Sequence, residues 1–134
     1  MVRLRGPFGL DDVAQQVVGG VLLSAPFVVT EEVWSLAASM NWLQTAISVF
    51  MVVAIGYGTL YRAEDRDADR EEDVAGVPLR FVSLLVVSYA SVVLLVLVFD
   101  APDTFGATPL TTFKAVNIGA IFSVVGAATA DSLF

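Results

Sequence analysis

The sequence predicts an all-α membrane protein, a four-transmembrane-helix bundle forming one domain over residues 1–134, with both termini on the cytoplasmic side. Three observations carry this. Hydrophobic residues make up 57% of the chain and charged residues only 16%, with mean hydropathy +0.79, too apolar for a soluble domain of this length. Four apolar runs each approach the roughly 20 residues that a helix needs to cross the hydrocarbon. Six of the seven basic residues, Arg3, Arg5, Arg62, Arg66, Arg70 and Arg80, fall on one side of a four-helix model, which the positive-inside rule assigns to the cytoplasm. Continuous apolar runs without alternation argue against a closed barrel, the other way to span a bilayer.

The first helix is expected over about Val13–Trp34, after Asp11 and Asp12, which can cap it and suit its positive end. Arg3 and Arg5 before an apolar run resemble a secretory signal. Asp11, Asp12, Gln15 and Gln16 interrupt that run, however, so it reads as a retained membrane helix. Pro26 leaves the carbonyl of Leu22 without its helical donor and predicts a bend there, with Gly19 and Gly20 adding freedom. Glu31 and Glu32 end the run. An acidic side chain at bilayer depth costs roughly 2.5–3.5 kcal/mol and less near an interface, so these two are the first candidates for function.

The second helix is expected over about Trp42–Leu60, the third over Phe81–Phe99 and the fourth over Phe113–Ala130. Trp34 and Trp42 bracket the first turn as interfacial anchors, with Ser35–Asn41 between the helices. The Tyr61–Arg80 connection is long and charged; Asp100–Thr112 lacks Lys and Arg and contains Pro102 and Pro109.

At about 100° per residue, Gln16, Gly20, Ser24, Phe27 and Glu31 share a face of the first helix, with Thr30 beside them. Glu32 points roughly 100° away from Glu31, so one acid is expected to face protein or a cavity and the other the headgroups. The second helix carries Gln44, Thr45, Ser48, Met51, Ile55 and Thr59 along one side. Ser88 and Ser91 share a side of the third. The fourth presents Ala115, Gly119, Ser123, Gly126, Ala127 and Ala130 as a small-residue face, with Asn117 on a flank. Such a face suits close helix packing. The stripes on the first two helices suit a wet pathway or a polar interior.

Several classes are excluded. Without cysteine or histidine, the chain can form no disulfide or usual zinc site, and no metal or other cofactor is expected. A net charge of −7 argues against nucleic acid, and an acidic, lysine-poor composition suits a halophilic organism. No nucleophile–base pair suggests an enzyme. Asp65-Arg66-Asp67-Ala68-Asp69 begins like a calcium loop, but Arg70 stands where glycine is required and Gly76 where a bidentate Glu is required. Gly56-Tyr57-Gly58 lacks the context of a potassium filter and reads as a flexible helix end.

The segment Gly20…Pro26…Thr30-Glu31…Trp34 resembles the signature region of an integral-membrane family, domain of unknown function 2391, found in haloarchaea and some bacteria. Its pattern is a Gly-rich start, then Pro, then Thr-x-Glu or Thr-Glu, then Trp. Glu32 fits the Thr-x-Glu spacing better, whereas helical geometry prefers Glu31. The resemblance implies an archaeal or bacterial membrane protein and brings no activity with it.

The expected function is that of a multi-pass cell-membrane protein, a homo-oligomeric ion channel or transporter favouring monovalent or divalent cations or protons. Glu31 or Glu32 would form its outer mouth with Asp100 and Asp103. Thr30, Gln16, Ser24, Gln44, Ser48 and Asn117 would line the pathway, and Gly19, Gly20 and Pro26 would supply the gating bend. Lys114 would pair with one of the outer acids or snorkel. The alternative is a non-conducting scaffold or sensor subunit that binds a partner through the acidic Tyr61–Arg80 loop.

Overall fold

The computed structural model describes the backbone of residues 9–63, 73–74 and 77–133. Arg3, Arg5 and the calcium-like Asp65 segment lie outside the described residues. The chain forms α1 (Leu10–Val28), α2 (Glu31–Ser39) and α3 (Trp42–Tyr57), which continues as a π-helical segment (Gly58–Ala63). A minimal antiparallel pair follows, β1 (Asp73–Val74) and β2 (Val77–Pro78). Then come α4 (Leu79–Val98), the short α5 (Ala101–Thr104) and α6 (Pro109–Leu133).

Three helical stretches are long and apolar enough to cross a membrane: Trp42–Tyr61, Leu79–Val98 and Pro109–Asp131. α1 and α2 qualify together as a pair bent by 81°. The membrane helix expected over Val13–Trp34 is therefore broken, and the break falls at Val29–Thr30 instead of Pro26. Pro26 lies in the last turn of α1 and faces outward, and the helix continues past it to Val28. At Thr30 the backbone becomes extended (φ −101°, ψ 138°) and caps α2, placing Glu31 and Glu32 in a first turn whose partial positive charge favours them. Most of the turn expected over Ser35–Asn41 is consequently helical.

The freed carbonyls of α1 are satisfied locally. Thr30 donates its backbone N–H and hydroxyl to Phe27, and the Trp34 indole N–H donates to the Val28 carbonyl at 2.8 Å. Trp34 is 3% exposed and stacks on Phe105. It closes the bundle's end where an interfacial anchor was expected. Trp42 is exposed, beside Phe113.

α6 is the central helix, with 67% of its most apolar stretch buried against 44% for α4 and 28% for α3 with its π-helical extension. One core cluster joins α1, α2, α4 and α6 around Val28, Trp34, Val92 and Val116. A second joins α3, the π-helical segment, α4 and α6 around Val52, Leu60, Leu84 and Val124. The start of α1, the end of α3, the start of α4 and the end of α6 share one end of the bundle, called the Arg80 end. The opposite end carries α2 and α5 and is called the Glu31 end. Long helices consecutive in sequence thus alternate in direction, while α1 runs parallel to α4 and α3 to α6.

The α1–α6 crossing is a backbone contact. A methyl at Gly19 would collide with the Gly126 backbone, and one at Gly126 with that of Gly19. At Gly20 a Cβ would lie 2.7 Å from the Ser123 hydroxyl. The small-residue face of α6 is where α1 docks, as close-packed membrane helices require.

Candidate functional site

Two groups of polar residues lie at opposite ends. At the Glu31 end, Glu31 and Glu32 are both exposed, and with Ser35 and Leu36 they line an open depression on the outer side of α2. Neither acid points into the bundle, because Val33, Trp34 and Ala37 form the inward face of α2. Asp100 and Asp103 are exposed at this end; Asp100 adopts a left-handed conformation (φ 52°) ahead of α5. Among the described residues, Lys114, 8% exposed, forms no ion pair with these acids. Its ammonium donates to the Met40 carbonyl at 2.5 Å, near the C-terminus of α2, and lies 5.4 Å from the Trp42 ring centroid. A cation suits a helix C-terminus.

Most of the expected pathway residues are held by their own helices. Ser24 donates to the Gly20 carbonyl, Ser48 to Gln44 and Ser88 to Leu84. Such back-bonding satisfies a hydroxyl in an apolar interior without water. Gln44 is exposed and caps α3 reciprocally with Asn41. The buried face of α3 is Thr45, Ser48, Val52 and Gly56, so Met51 and Gln44 lie off it. Asn117 is buried, accepts from the Tyr89 hydroxyl at 2.8 Å and donates to the Phe113 carbonyl. Phe27 stacks on Phe122 with centroids 3.7 Å apart, both half-buried, and so ties α1 to α6. Ser123, fully buried, has a hydroxyl with no hydrogen-bond partner among the described residues.

The Arg80 end differs. Arg80, in the first turn of α4, donates through Nη1 to both carboxylate oxygens of Asp131 at 2.7 and 2.9 Å. The same nitrogen lies 3.3 Å from Asp12 on α1. Gln16 donates to Asp131 at 3.2 Å and accepts from the Ser83 hydroxyl at 2.8 Å. Asp12 also accepts the Gly9 backbone N–H at 2.8 Å. Arg80, Asp12, Asp131 and Gln16 are all buried, so three helices meet through charge-assisted hydrogen bonds. Buried ionisable groups in a membrane bundle are costly and mark candidate functional sites.

Of this cluster, sequence reasoning placed only Gln16 among the candidates. Asp12 reads as a helix cap and Arg80 as a cytoplasmic base. The available signal was that Asp131 and Arg80 each border an apolar run; their meeting, 51 positions apart, is a product of the fold.

Residues 8–131 match the sequence model of the DUF2391 family, described as integral membrane proteins. No curated protein and no solved structure matches the chain. The family match covers nearly the whole chain, the described part of which is almost entirely helical, and the chain is therefore a member of the DUF2391 family of integral membrane proteins.

Proposed function

We propose that the protein moves a small cation or a proton across the membrane, with the buried Asp12–Arg80–Asp131 cluster as the site the ion must pass. The cluster itself carries the reading: charged groups from three helices meet buried inside the bundle, where each is costly. The backbone contact of α1 with α6 at Gly19 and Gly126 favours a gated carrier over an open pore between these helices. Glu31, Glu32, Asp100 and Asp103 would concentrate cations at the far end. In this reading the Arg80 end is cytoplasmic, in keeping with the positive-inside rule.

The test is ion flux into liposomes carrying purified protein. Flux of protons or monovalent cations above protein-free liposomes is expected, reduced by Asp131→Asn and, more weakly, by Glu31→Gln with Glu32→Gln. Flux at the protein-free level for every ion tried would sink the transport reading. The hydroxyls held by their own helices favour a second reading, a non-conducting scaffold. Under it, deleting 64–72 abolishes capture of a cytoplasmic partner while the bundle stays folded, and flux is absent.

A further inference from the structure

We infer that the Ser91 and Ser123 hydroxyls hold a water molecule inside the bundle, where α1, α4 and α6 meet over the bare α-carbon of Gly20. The inference deepens the transport reading by giving the ion's route a hydrated stop, and rests on that reading for its physiological role.

Ser24, Ser48 and Ser88 each donate to the carbonyl four residues earlier on their own helix, which satisfies a serine in an apolar interior. Ser123 departs from this. Its side chain is fully buried, yet its Oγ has no hydrogen-bond partner among the described residues. It faces across the helix junction instead: a methyl added at Gly20 would lie 2.7 Å from Ser123 Oγ and 3.2 Å from Ser91 Oγ. Ser91 is itself only 3% exposed. Hydroxyls from α6 and α4 therefore flank one glycine of α1, and no hydrogen bond joins Ser123 to Ser91.

A buried hydroxyl without a partner is costly. Each hydroxyl offers one donor and two acceptor sites, so one water can accept from Ser123 and donate to Ser91. A buried water makes roughly two to four hydrogen bonds, and this pair supplies the lower figure. A hard cation such as calcium takes about six or more oxygen ligands, which two neutral hydroxyls do not provide. Gln16, which donates to Asp131, stands one turn before Gly20 on the same face of α1, and Asp131 lies about two turns beyond Ser123 on α6. The water thus sits between the charged cluster and the Glu31 end, along the crossing of α1 with α6. Immobilising it costs entropy that offsets the bonds it makes. Ser123→Ala therefore stays close to the parent in stability, and hydration itself has to be measured.

The chain has no native cysteine, so a single introduced thiol reports water through its infrared S–H stretch. Full-length Ser123→Cys, Ser91→Cys and Val124→Cys in lipid are transferred to D2O, and conversion of S–H to S–D is followed. Val124 is fully buried in the apolar core with Val52 and Leu84, so its variant reports the opening of that part of α6. Ser123→Cys and Ser91→Cys are expected to exchange at least about tenfold faster than Val124→Cys, because a thiol beside bound water does not wait for the helices to part. Adding Ser91→Ala to Ser123→Cys removes the water's second contact and should slow exchange toward the Val124→Cys rate. Exchange in Ser123→Cys no faster than in Val124→Cys would mean a dry contact with Gly20 and would overturn the inference, as would exchange indifferent to Ser91→Ala. If Ser123→Cys does not fold, Ser91→Cys against Val124→Cys decides it. The liposome assay separates the two claims: fast exchange without flux of any ion defeats the transport reading and leaves the water site standing, whereas flux with exchange at the Val124→Cys rate defeats the water site.

Discussion

Trp34 follows an apolar run and two glutamates, and local rules assign such a residue to the lipid headgroups. The fold uses it differently because the chain breaks four residues earlier, turning α2 so that its 33, 34 and 37 side is buried. Its indole N–H then completes the Val28 carbonyl, which α1 no longer serves. Replacing Trp34 with Phe keeps an aromatic against Phe105 and removes that donor. The expected cost is about 1–3 kcal/mol, the penalty for leaving a buried acceptor unmet, read as a lower midpoint of thermal unfolding in detergent. An unchanged midpoint would mean that water reaches Val28. The acids beside Trp34 were identifiable from sequence as exceptional, but their outward direction was not, since it depends on where α1 ends.

At the scale of elements, the long apolar helices and the small-residue face of α6 were legible because they depend on run length and periodicity alone. Gly19 and Gly20 suggested a flexible bend. In the structure they sit where α1 meets α6, and the absence of a side chain is used for proximity. Adding a methyl at Gly126 forces two backbones apart, so Gly126→Ala should destabilise the bundle by about 1–3 kcal/mol. Ser123→Ala, only one turn away, deletes a hydroxyl that has no partner among the described residues and should be neutral or slightly stabilising. Comparing the two by denaturation in mixed micelles separates close packing from a polar role; a larger loss for Ser123→Ala would show that its hydroxyl is engaged. The Thr30 break was not legible, because capping of α2 competes with continuation of an apolar helix and the outcome turns on Trp34 finding Val28.

For the whole molecule, the distribution of charge decides orientation. The Arg80 end gathers the start of α1, the π-helical segment and the start of α4, and the basic residues Arg3, Arg5, Arg62, Arg66 and Arg70 belong to segments that border it in sequence. The alternating direction of the long helices keeps these segments together, so a single insertion of the bundle satisfies all of them. Lys114, the remaining base, is at the other end, but its ammonium is held by Met40. A buried, carbonyl-bound lysine contributes little to the exposed charge on which orientation depends. The absence of native cysteine makes the arrangement directly testable with single substitutions. Asp67→Cys should react with a membrane-impermeant thiol reagent only from the cytoplasmic side, and Ser35→Cys, exposed on α2, only from the opposite side. If both cysteines were labelled from the same side, α3, the span that separates them in the chain, would not cross the membrane, and this arrangement would fall.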